Sequence, residues 1–391
     1  MELSRLPKLS KFVRLYRFRG RRFAESVLDE RAVEVDTLHE QLLAALAAGQ
    51  APDTQSSGIV GRLDMLREVG LLIESDEDDR RHLDGALSNP AALPAVDQVE
   101  LTNHCPMKCL MCPKGVGRDD RPMGFMDLGL FRELLGQIAQ IQLEVKPLAL
   151  HNLGESLLHP ELDGFVSATS AAGLRTELSV NPALLTPTRY RQLVEAGIFR
   201  LVLSLDGLDA ATIEVVRGPA ARGAVALENL EALLSERERH PREHPEILVQ
   251  MLRLKANSHA HAAFERRFCG LAIPGVSAVL KPLDANTEPA LFPDGEEPRP
   301  YLCRAPWRTV VVLWDGRVVP CCHDARAEWV LGDLRRSSLA EIWAGERAQR
   351  LRERLRTGWP SPDGPCGRCA HRPDLYRRPS LEDVRDEPLH W

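Results

Sequence analysis

Apolar positions follow two different patterns on either side of residue 92. Before it, KFVRLYRF and RFAESVLD have the composition of short strands, whereas TLHEQLLAALAAG and SGIVGRLDMLREVG carry Leu and Ala at helical spacing. LLIESDED then begins as a strand and ends in acidic residues. The order strand, strand, helix, helix, strand predicts a winged-helix-like domain over residues 1–92. The acidic run SDEDDRR and the segment NPAALPAVD predict a linker at its end.

From Gln98 onward, short apolar strands alternate with amphipathic helices. The predicted strands are QVELT, PLALHNL, RTELSVN, FRLVLSLD, EILVQMLRL and VSAVLKPL. Six such units predict an α/β domain over residues 93–298, with a parallel sheet that is open or curled into a partial (β/α)6 TIM-like barrel. Active sites on such sheets lie at the carboxyl ends of the strands, so polar residues at those ends are the candidates for function.

A small Cys-rich domain is predicted over residues 299–375. The segment TVVVLWDGRVVPCC predicts a β-hairpin that turns at Asp315-Gly316. A helix around SLAEIWAGERAQRLRERL precedes the last pair of cysteines. Residues 376–391 are polar and are expected to form a peripheral tail.

Composition narrows the class of protein. The chain has 391 residues, of which 44% are hydrophobic and 27% charged, and its net charge is −6 from 50 basic and 56 acidic residues. These values exclude a disordered or collagen-like chain and argue against a nucleic-acid partner. No apolar run approaches the ~20 residues of a membrane helix, and the basic start lacks the apolar core of a secretory signal. We therefore expect a cytoplasmic protein with no membrane partner.

Nine cysteines in a reducing compartment favour metal sites over disulfides. Cys105, Cys109 and Cys112 form C-x3-C-x2-C directly after the first barrel strand. Three thiolates can hold a [4Fe-4S] cluster and leave one iron open, whereas a closed zinc site needs a fourth ligand, for which His104 is available.

This motif resembles the signature of the radical S-adenosylmethionine (radical SAM) superfamily. The resemblance implies that S-adenosylmethionine binds the open iron and that an electron from an external flavodoxin- or ferredoxin-type reductant releases a 5′-deoxyadenosyl radical. Met111 occupies the position where the family places a large apolar side chain near the adenine.

The resemblance extends to the following strand ends. In HNLGESLLHP, Gly154 and Glu155 match the family's segment that contacts the methionine amino group, whereas Asn152 and Ser156 depart from it. The other implied contacts with S-adenosylmethionine lie after the third and fourth strands and in VVRGP: Ser179, Asn181, Ser204, Asp206 and Arg217. In related enzymes, the arginine that Arg217 resembles pairs with the carboxylate of the methionine moiety.

A second set of cysteines, C-x17-C-x44-C-x2-C, comprises Cys303, Cys321, Cys366 and Cys369. Four thiolates fit either a tetrahedral zinc ion or a complete [4Fe-4S] cluster. The arrangement resembles the SPASM/twitch extension of radical SAM enzymes, and more closely the shorter twitch form. The resemblance implies one auxiliary [4Fe-4S] cluster, hence two clusters in the protein.

The remaining candidates are single residues. Cys322 is an alternate ligand, a hydrogen-atom donor to a substrate radical or a small buried apolar residue, and Cys269 is expected to pack against the outside of the sheet. His323 is a further candidate for the site. Polar residues at the last strand ends are candidates for substrate contacts: Gln250, Arg253, Lys255 and Lys281.

The resemblance to twitch enzymes of the 2-deoxy-scyllo-inosamine dehydrogenase type implies oxidation of a hydroxyl-bearing carbon in a sugar or aminocyclitol intermediate of natural-product biosynthesis. One alternative is a radical epimerase with Cys322 as hydrogen donor. Another is a maturase of a ribosomally made peptide that residues 1–92 bind by β-augmentation. A fourth, from a different class, is a non-catalytic zinc-binding interaction protein.

Overall fold

The computed structural model describes residues 7–18, 21–26, 28, 31–51, 58–88, 90–142, 147–240, 244–296, 298, 302–357, 364–371 and 385–386. The chain divides into two compact units. The first comprises residues 1–90, 300–303 and 372–391, and the second comprises residues 91–299 and 304–371. No helix in the described ranges has the length and apolar character needed to span a bilayer.

The strands in chain order are β1 (Lys8–Leu9), β2 (Val13–Phe18), β3 (Arg21–Ser26), β4 (Arg31–Glu34), β5 (Leu72–Ile73), β6 (Ala95–Val99), β7 (Leu148–Ala149), β8 (Thr176–Val180), β9 (Arg200–Ser204), β10 (Glu246–Leu252), β11 (Val276–Lys281), β12 (Thr309–Val312), β13 (Arg317–Val319), β14 (Gly332–Asp333) and β15 (Arg385–Asp386).

The helices are α1 (Thr37–Ala47), α2 (Ile59–Glu68), α3 (Asp76–Ser88), α4 (Leu128–Gln142), α5 (Leu162–Ala171), α6 (Pro187–Glu195), α7 (Ala210–Arg217), α8 (Gly223–Arg239), α9 (His261–Phe268), α10 (Ala305–Arg308), α11 (Leu339–Ala344), α12 (Glu346–Thr357) and α13 (Pro365–Arg368). Short 3₁₀ turns lie at Ser156–Leu158, Pro182–Leu184, Pro219–Ala221, Lys255–Ala260 and Pro289–Leu291.

The first unit contains the three strands and two helices predicted for it, and β1, β4, α3 and β15 are further elements. β2, β3 and β4 form an antiparallel sheet, and β1 pairs with β5. The apolar faces of α1 and α2 bury Leu43 and Leu66 against this unit's core. Helix α1 begins where the Asp36 carboxylate accepts a hydrogen bond from the His39 amide at 2.9 Å.

Two predictions for the first unit were wrong. The acidic run predicted as a linker forms the start of α3. The positive end of the helix dipole stabilises the four carboxylates in its first turn. Asp79 in that turn accepts a hydrogen bond from the Ser10 hydroxyl at 2.5 Å. The tail is not merely peripheral, because β15 pairs with β2 in parallel.

The second unit is built on one nine-stranded sheet in the order β11-β10-β9-β8-β7-β6-β12-β13-β14. From β6 to β11 each strand pairs in parallel with the next one along the chain. This sequential order confirms the six predicted strands and the partial TIM-like barrel. It also brings the carboxyl ends of the strands to one edge, as parallel pairing requires.

The predicted hairpin is confirmed and belongs to the same sheet. β12 pairs in parallel with β6, and β13 returns antiparallel to β12. The turn includes Gly316, whose φ of 88° is readily adopted only by glycine. The hairpin is therefore continuous with the strands of the barrel.

Cys269 does not fill the core as predicted. It lies just after α9 and is exposed, with its sulfur 4.0 Å from the Ala278 carbonyl oxygen. The residue follows the helix instead of lying within it, and its sulfur lies beside the backbone of β11 on the outside of the sheet.

Candidate active site

The three cysteines of the first motif lie on the loop after β6. Hydrogen bonds at 2.9 and 3.0 Å run from the Lys108 and Leu110 amides to the carbonyls of Arg217 and Val216 at the end of α7. A Cβ at Gly115 would lie 2.4 Å from the Cys109 carbonyl oxygen, so the loop passes too close to itself for any other residue. The loop is thus held in place by the backbone of a distant helix.

A buried ion-pair network braces the same loop. Both terminal nitrogens of Arg121 bind the Glu100 carboxylate at 2.9 Å, and its Nε binds Asp119 at 2.8 Å. Both carboxylates are inaccessible to solvent. Sequence analysis missed this network, although the charged Glu100 inside an apolar strand was a signal that could have indicated it.

The thiols are partly buried, and desolvation raises the pKa of Cys105 to about 11 and that of Cys109 to about 12. The neighbouring Cys112 raises the pKa of both thiols further, because the three cysteines lie on one loop. Thiolates in such a place require a strong positive partner. The donor set therefore fits a metal centre.

The cysteines of the first loop do not have the close spacing of zinc ligands. Around a tetrahedral zinc ion with bonds of ~2.3 Å, sulfurs lie about 3.8 Å apart. Within the described ranges, no three cysteine sulfurs lie within 4.8 Å of one another. His104, the predicted fourth zinc ligand, stacks instead on Phe125 with ring centroids 4.6 Å apart.

Gly154 and Glu155 lie beyond β7, as predicted. A Cβ at Gly154 would lie 1.8 Å from the Thr102 carbonyl oxygen, so only glycine fits. Glu155 is buried, and desolvation raises its pKa to about 7 against hydrogen bonds from the Asn181 and Leu157 amides at 3.0 and 3.2 Å. This carboxylate lies near the Cys105 thiol, where a cationic amino group would stabilise its ionised form.

Ser179 and Ser204 meet at the next two strand ends, with their hydroxyl oxygens 3.2 Å apart. Asn181 lies two residues after Ser179, but its side chain makes contacts within the protein. Its Oδ1 accepts from the Ala183 amide at 3.1 Å, and its Nδ2 lies 3.6 Å from the sulfur of Met107. The pair of serines offers hydroxyls to a ligand, whereas the contact predicted for Asn181 stays a prediction.

Asp206 and Arg217 form an ion pair, with Nε 2.8 Å from Oδ2. Asp206 has a φ of 56° and also accepts the Leu252 amide at 2.7 Å. Although burial opposes the charge on Arg217, the Asp206 carboxylate raises the pKa of this arginine. The guanidinium also acts electrostatically on the Cys109 thiol, so the structure brings the predicted arginine to the first cysteine loop.

Two other predicted cofactor residues have partners in the protein. Asn152 donates to Glu100 at 3.2 Å and so joins the buried network. Met111 packs against the apolar cluster that contains Val216 and Leu254. Ser156, where the sequence departs from the family, is buried and donates to the Leu150 carbonyl at 2.6 Å.

The four predicted substrate residues lie on and after the adjacent strands β10 and β11, where the Arg253 amide donates to the Lys281 carbonyl at 2.8 Å. Arg253 pairs with Glu296, with Nε 2.8 Å from Oε1, and Lys255 pairs with Asp294 at 2.7 Å. Gln250 is half-buried within β10, and Lys281 is exposed at the end of β11. Ordinary ion pairs account for the first two, and a substrate role for any of the four stays a prediction.

Three of the four cysteines of the second set lie on two segments of the second unit. Cys321 follows β13, and Cys366 and Cys369 lie on and after α13. Desolvation raises the pKa of Cys366 to about 12, and Cys369 raises it further. Cys303, the fourth predicted ligand, belongs to the first unit.

Asn286 anchors the last cysteine beside the barrel. Its Nδ2 lies 3.5 Å from the Cys369 sulfur, and its Oδ1 accepts from the Ala370 amide at 2.7 Å. The His371 amide donates to the same sulfur at 3.4 Å. Because Asn286 follows β11, Cys369 lies near the carboxyl end of the last parallel strand.

Cys322 packs against the apolar cluster of Val311, Leu313, Val319 and Ala327. This packing favours the interpretation of Cys322 as a small apolar residue. Its predicted role as a hydrogen-atom donor gains no support from these contacts.

Two family models match the chain: the radical SAM superfamily over residues 99–238, and SPASM, an iron-sulfur cluster-binding domain, over residues 303–370. The chain is a radical SAM enzyme with a SPASM domain. The predicted resemblance is thus confirmed, and the non-catalytic zinc-binding protein is not supported. The two domains imply S-adenosylmethionine and two [4Fe-4S] clusters as cofactors, as predicted.

Curated relatives of this radical SAM enzyme differ in what they act on. A tungsten-containing aldehyde ferredoxin oxidoreductase cofactor-modifying protein from Pyrococcus furiosus is 25% identical over 64% of this chain and 80% of its own. An S-adenosyl-L-methionine-dependent 2-deoxy-scyllo-inosamine dehydrogenase from Niallia circulans is 22% identical over 70% of this chain and 91% of its own.

A PqqA peptide cyclase from Rhodopseudomonas palustris is 25% identical over 73% of this chain and 82% of its own. Among solved structures, Streptococcus suis SuiB bound to S-adenosylmethionine is similar with a TM-score of 0.50 and 14% identity, over 96% of this chain and 100% of that one. This likeness shows the fold, whereas the range of relatives leaves the substrate class open.

Proposed function

We propose that this radical SAM enzyme oxidises a hydroxyl-bearing carbon of a sugar or aminocyclitol. The observation that carries the proposal is the anchoring of Cys369 by Asn286 beyond the end of β11. In this proposal, Cys369 brings the auxiliary cluster to the carboxyl ends of the barrel strands, where such enzymes bind substrate. When bound there, an iron–sulfur cluster supplies an acceptor for the second electron of an alcohol oxidation.

A second contact supports this location. The Arg326 side chain, on the segment that follows Cys321, donates to the Arg118 carbonyl at 2.9 Å. Arg118 lies on the loop of the first cysteine set. The segments that carry the two sets of thiols therefore touch within one compact unit, as a reaction that uses both sites requires.

The polar residues around the first loop offer different groups of S-adenosylmethionine different contacts. Glu155 and the Asp206–Arg217 pair present an acidic and a basic group beside Cys105 and Cys109, which suits the amino and carboxylate groups of S-adenosylmethionine. Ser179 and Ser204 add a pair of hydroxyls at the next two strand ends. These residues bind and orient the cofactor, and they leave substrate recognition to other parts of the barrel.

The test uses anaerobic, reduced holoenzyme in deuterated water with aminocyclitols, including 2-deoxy-scyllo-inosamine, as probes. The expected result is a carbonyl product, one S-adenosylmethionine consumed per product, and no solvent deuteron on the product carbon. The Cys322→Ala variant should retain this activity, because the proposed oxidation needs no hydrogen donor. A product that gains one solvent deuteron, and is lost in Cys322→Ala, would instead establish the epimerase alternative.

Peptide maturation is the second candidate function, and the first unit is the observation in its favour. Its antiparallel sheet and the helices α1 and α2 have the order predicted for a peptide-binding winged-helix-like domain. The PqqA peptide cyclase relative and the fold of SuiB, which has been crystallised with its precursor peptide SuiA, point the same way.

The sheet of the first unit limits where a peptide could bind. Pairing with β15 already covers one side of β2, the basic strand predicted to receive an extended peptide. In the described part of this sheet, β4 is the outer strand on the opposite side. Calorimetric titration of the full chain with a short peptide encoded beside its gene tests this candidate, and saturable binding followed by a mass change of the peptide would replace the first proposal.

A further inference from the structure

Three side chains, of which the sequence analysis singled out only His323, converge beside the second cysteine set. Asp284 follows the end of β11, His323 follows the Cys321-Cys322 pair, and His371 follows Cys369. One ligand atom from each lies within 4.8 Å of the other two. They are distant in sequence, and all belong to the second unit.

The distances resemble the edges of a coordination polyhedron. His371 Nε2 lies 3.1 and 3.0 Å from the two Asp284 oxygens, and His323 Nε2 lies 3.7 Å from Oδ2. With metal–ligand bonds of ~2.0–2.2 Å, neighbouring ligand atoms lie about 3–3.5 Å apart. A hydrogen bond explains the His371 contact, but 3.7 Å is too long for one at His323.

The Asp284 carboxylate and the two imidazoles are fixed in position, and one side of the group is accessible to solvent. Asp284 Oδ1 also accepts the Asn286 amide at 2.8 Å, which fixes the carboxylate as outer-shell partners do at metal sites. The His371 side chain is 1% exposed, whereas those of His323 and Asp284 are 26% and 40% exposed. Three protein ligands with an open side are the arrangement of a reactive metal site, since a structural site is closed by four.

We propose that Asp284, His323 and His371 bind a divalent transition metal ion, distinct from both iron–sulfur clusters. Two imidazoles and one carboxylate are suitable ligands for Fe(II), Mn(II), Co(II) or Zn(II). An iron–sulfur cluster would instead require thiolate ligands. The site lies beyond the carboxyl end of β11, so its open position is available to a hydroxyl or amine of a substrate. The proposal does not depend on the reaction proposed above.

The experiment titrates Mn²⁺ into anaerobic holoenzyme with both clusters loaded and oxidised, and follows the loss of the free Mn²⁺ signal by electron paramagnetic resonance. Mn²⁺ prefers oxygen and nitrogen ligands, so it discriminates against the cysteines. We expect one ion per chain, displaced by Zn²⁺. Asp284→Asn and His323→Ala should weaken binding at least about tenfold, a loss of about 1.4 kcal/mol.

The matched controls are His240→Ala and Asp294→Asn, which remove an exposed histidine and an exposed carboxylate elsewhere in the second unit and should bind Mn²⁺ as the parent does. Iron and sulfide content is measured on every variant. If His323→Ala loses iron because it disturbs the cluster near Cys321, the result for Asp284→Asn decides the outcome. Stoichiometric binding lost in Asp284→Asn with full iron supports the site. No stoichiometric binding in the parent, or equal binding in Asp284→Asn, overturns it.

Discussion

The two cysteine sets of this radical SAM enzyme are assembled in different ways. Cys105, Cys109 and Cys112 lie within eight residues on one loop after β6. In the second unit, Cys321, Cys366 and Cys369 come from two segments that are 44 residues apart. The first set therefore needs a loop held in one conformation, whereas the second needs two segments packed against the barrel.

Different interactions stabilise these two arrangements. Around the first loop they are buried charges, with Arg121 bound between Glu100 and Asp119. Near the last cysteine they are neutral hydrogen bonds, in which Asn286 donates to the Cys369 sulfur and accepts from the Ala370 amide. The comparison indicates that the first site is sensitive to the loss of a single charge, while the second is affected only slightly by the loss of a single hydrogen bond.

The largest expected effect comes from removing the thiols themselves. The triple variant Cys105→Ala, Cys109→Ala, Cys112→Ala should hold about four irons instead of about eight and form no 5′-deoxyadenosine. The double variant Cys366→Ala, Cys369→Ala should also lose about four irons but still cleave S-adenosylmethionine. Anaerobic iron and sulfide analysis with chromatography of 5′-deoxyadenosine measures both. If either variant loses all its iron, the two sites are not independent.

A smaller effect is expected from Glu100→Gln, which leaves the buried Arg121 with one carboxylate fewer. Breaking a buried ion pair costs about 3–5 kcal/mol. We expect a lower thermal midpoint and faster release of iron to a chelator from the first site alone. Asp294→Asn is the control, because the pair of Asp294 with Lys255 is exposed and such pairs contribute about 0–1 kcal/mol. Equal effects in the two variants would contradict the role given to the network.

The smallest effect is expected from Asn286→Ala. It removes a neutral hydrogen bond to the Ala370 amide, worth about 1 kcal/mol. It also removes a donor to the Cys369 sulfur, and because such donors favour the reduced cluster, the auxiliary reduction potential should fall. Asn229→Ala removes comparable bonds to the Pro182 and Ala183 carbonyls and should leave both potentials unchanged. Potentiometric titration distinguishes the two, and an unchanged potential in Asn286→Ala contradicts the assignment.

Local patterns in the sequence explain why much of the fold was predicted correctly. The alternation of apolar strands and amphipathic helices after Gln98 identified all six parallel strands, because each element buries one face with a regular period. The hairpin at Asp315-Gly316 was identified by its turn residues. The helix α3 was missed because its first turn is acidic and lacks an apolar period, although the helix dipole favours those charges.

The sequence alone specifies the six strands β6 to β11, the two cysteine motifs and the family to which they belong, since periodicity and spacing are local properties of the chain. Three contacts depend on the folded chain: β15 pairs with β2, Arg121 lies between Glu100 and Asp119, and three residues from separate segments meet at Asp284. Apart from Arg121 and Asp119, which are two residues apart, the partners are separated in sequence by more than any helical or strand period, so no local pattern records these contacts. They arise only when the packing of the sheet brings those segments together.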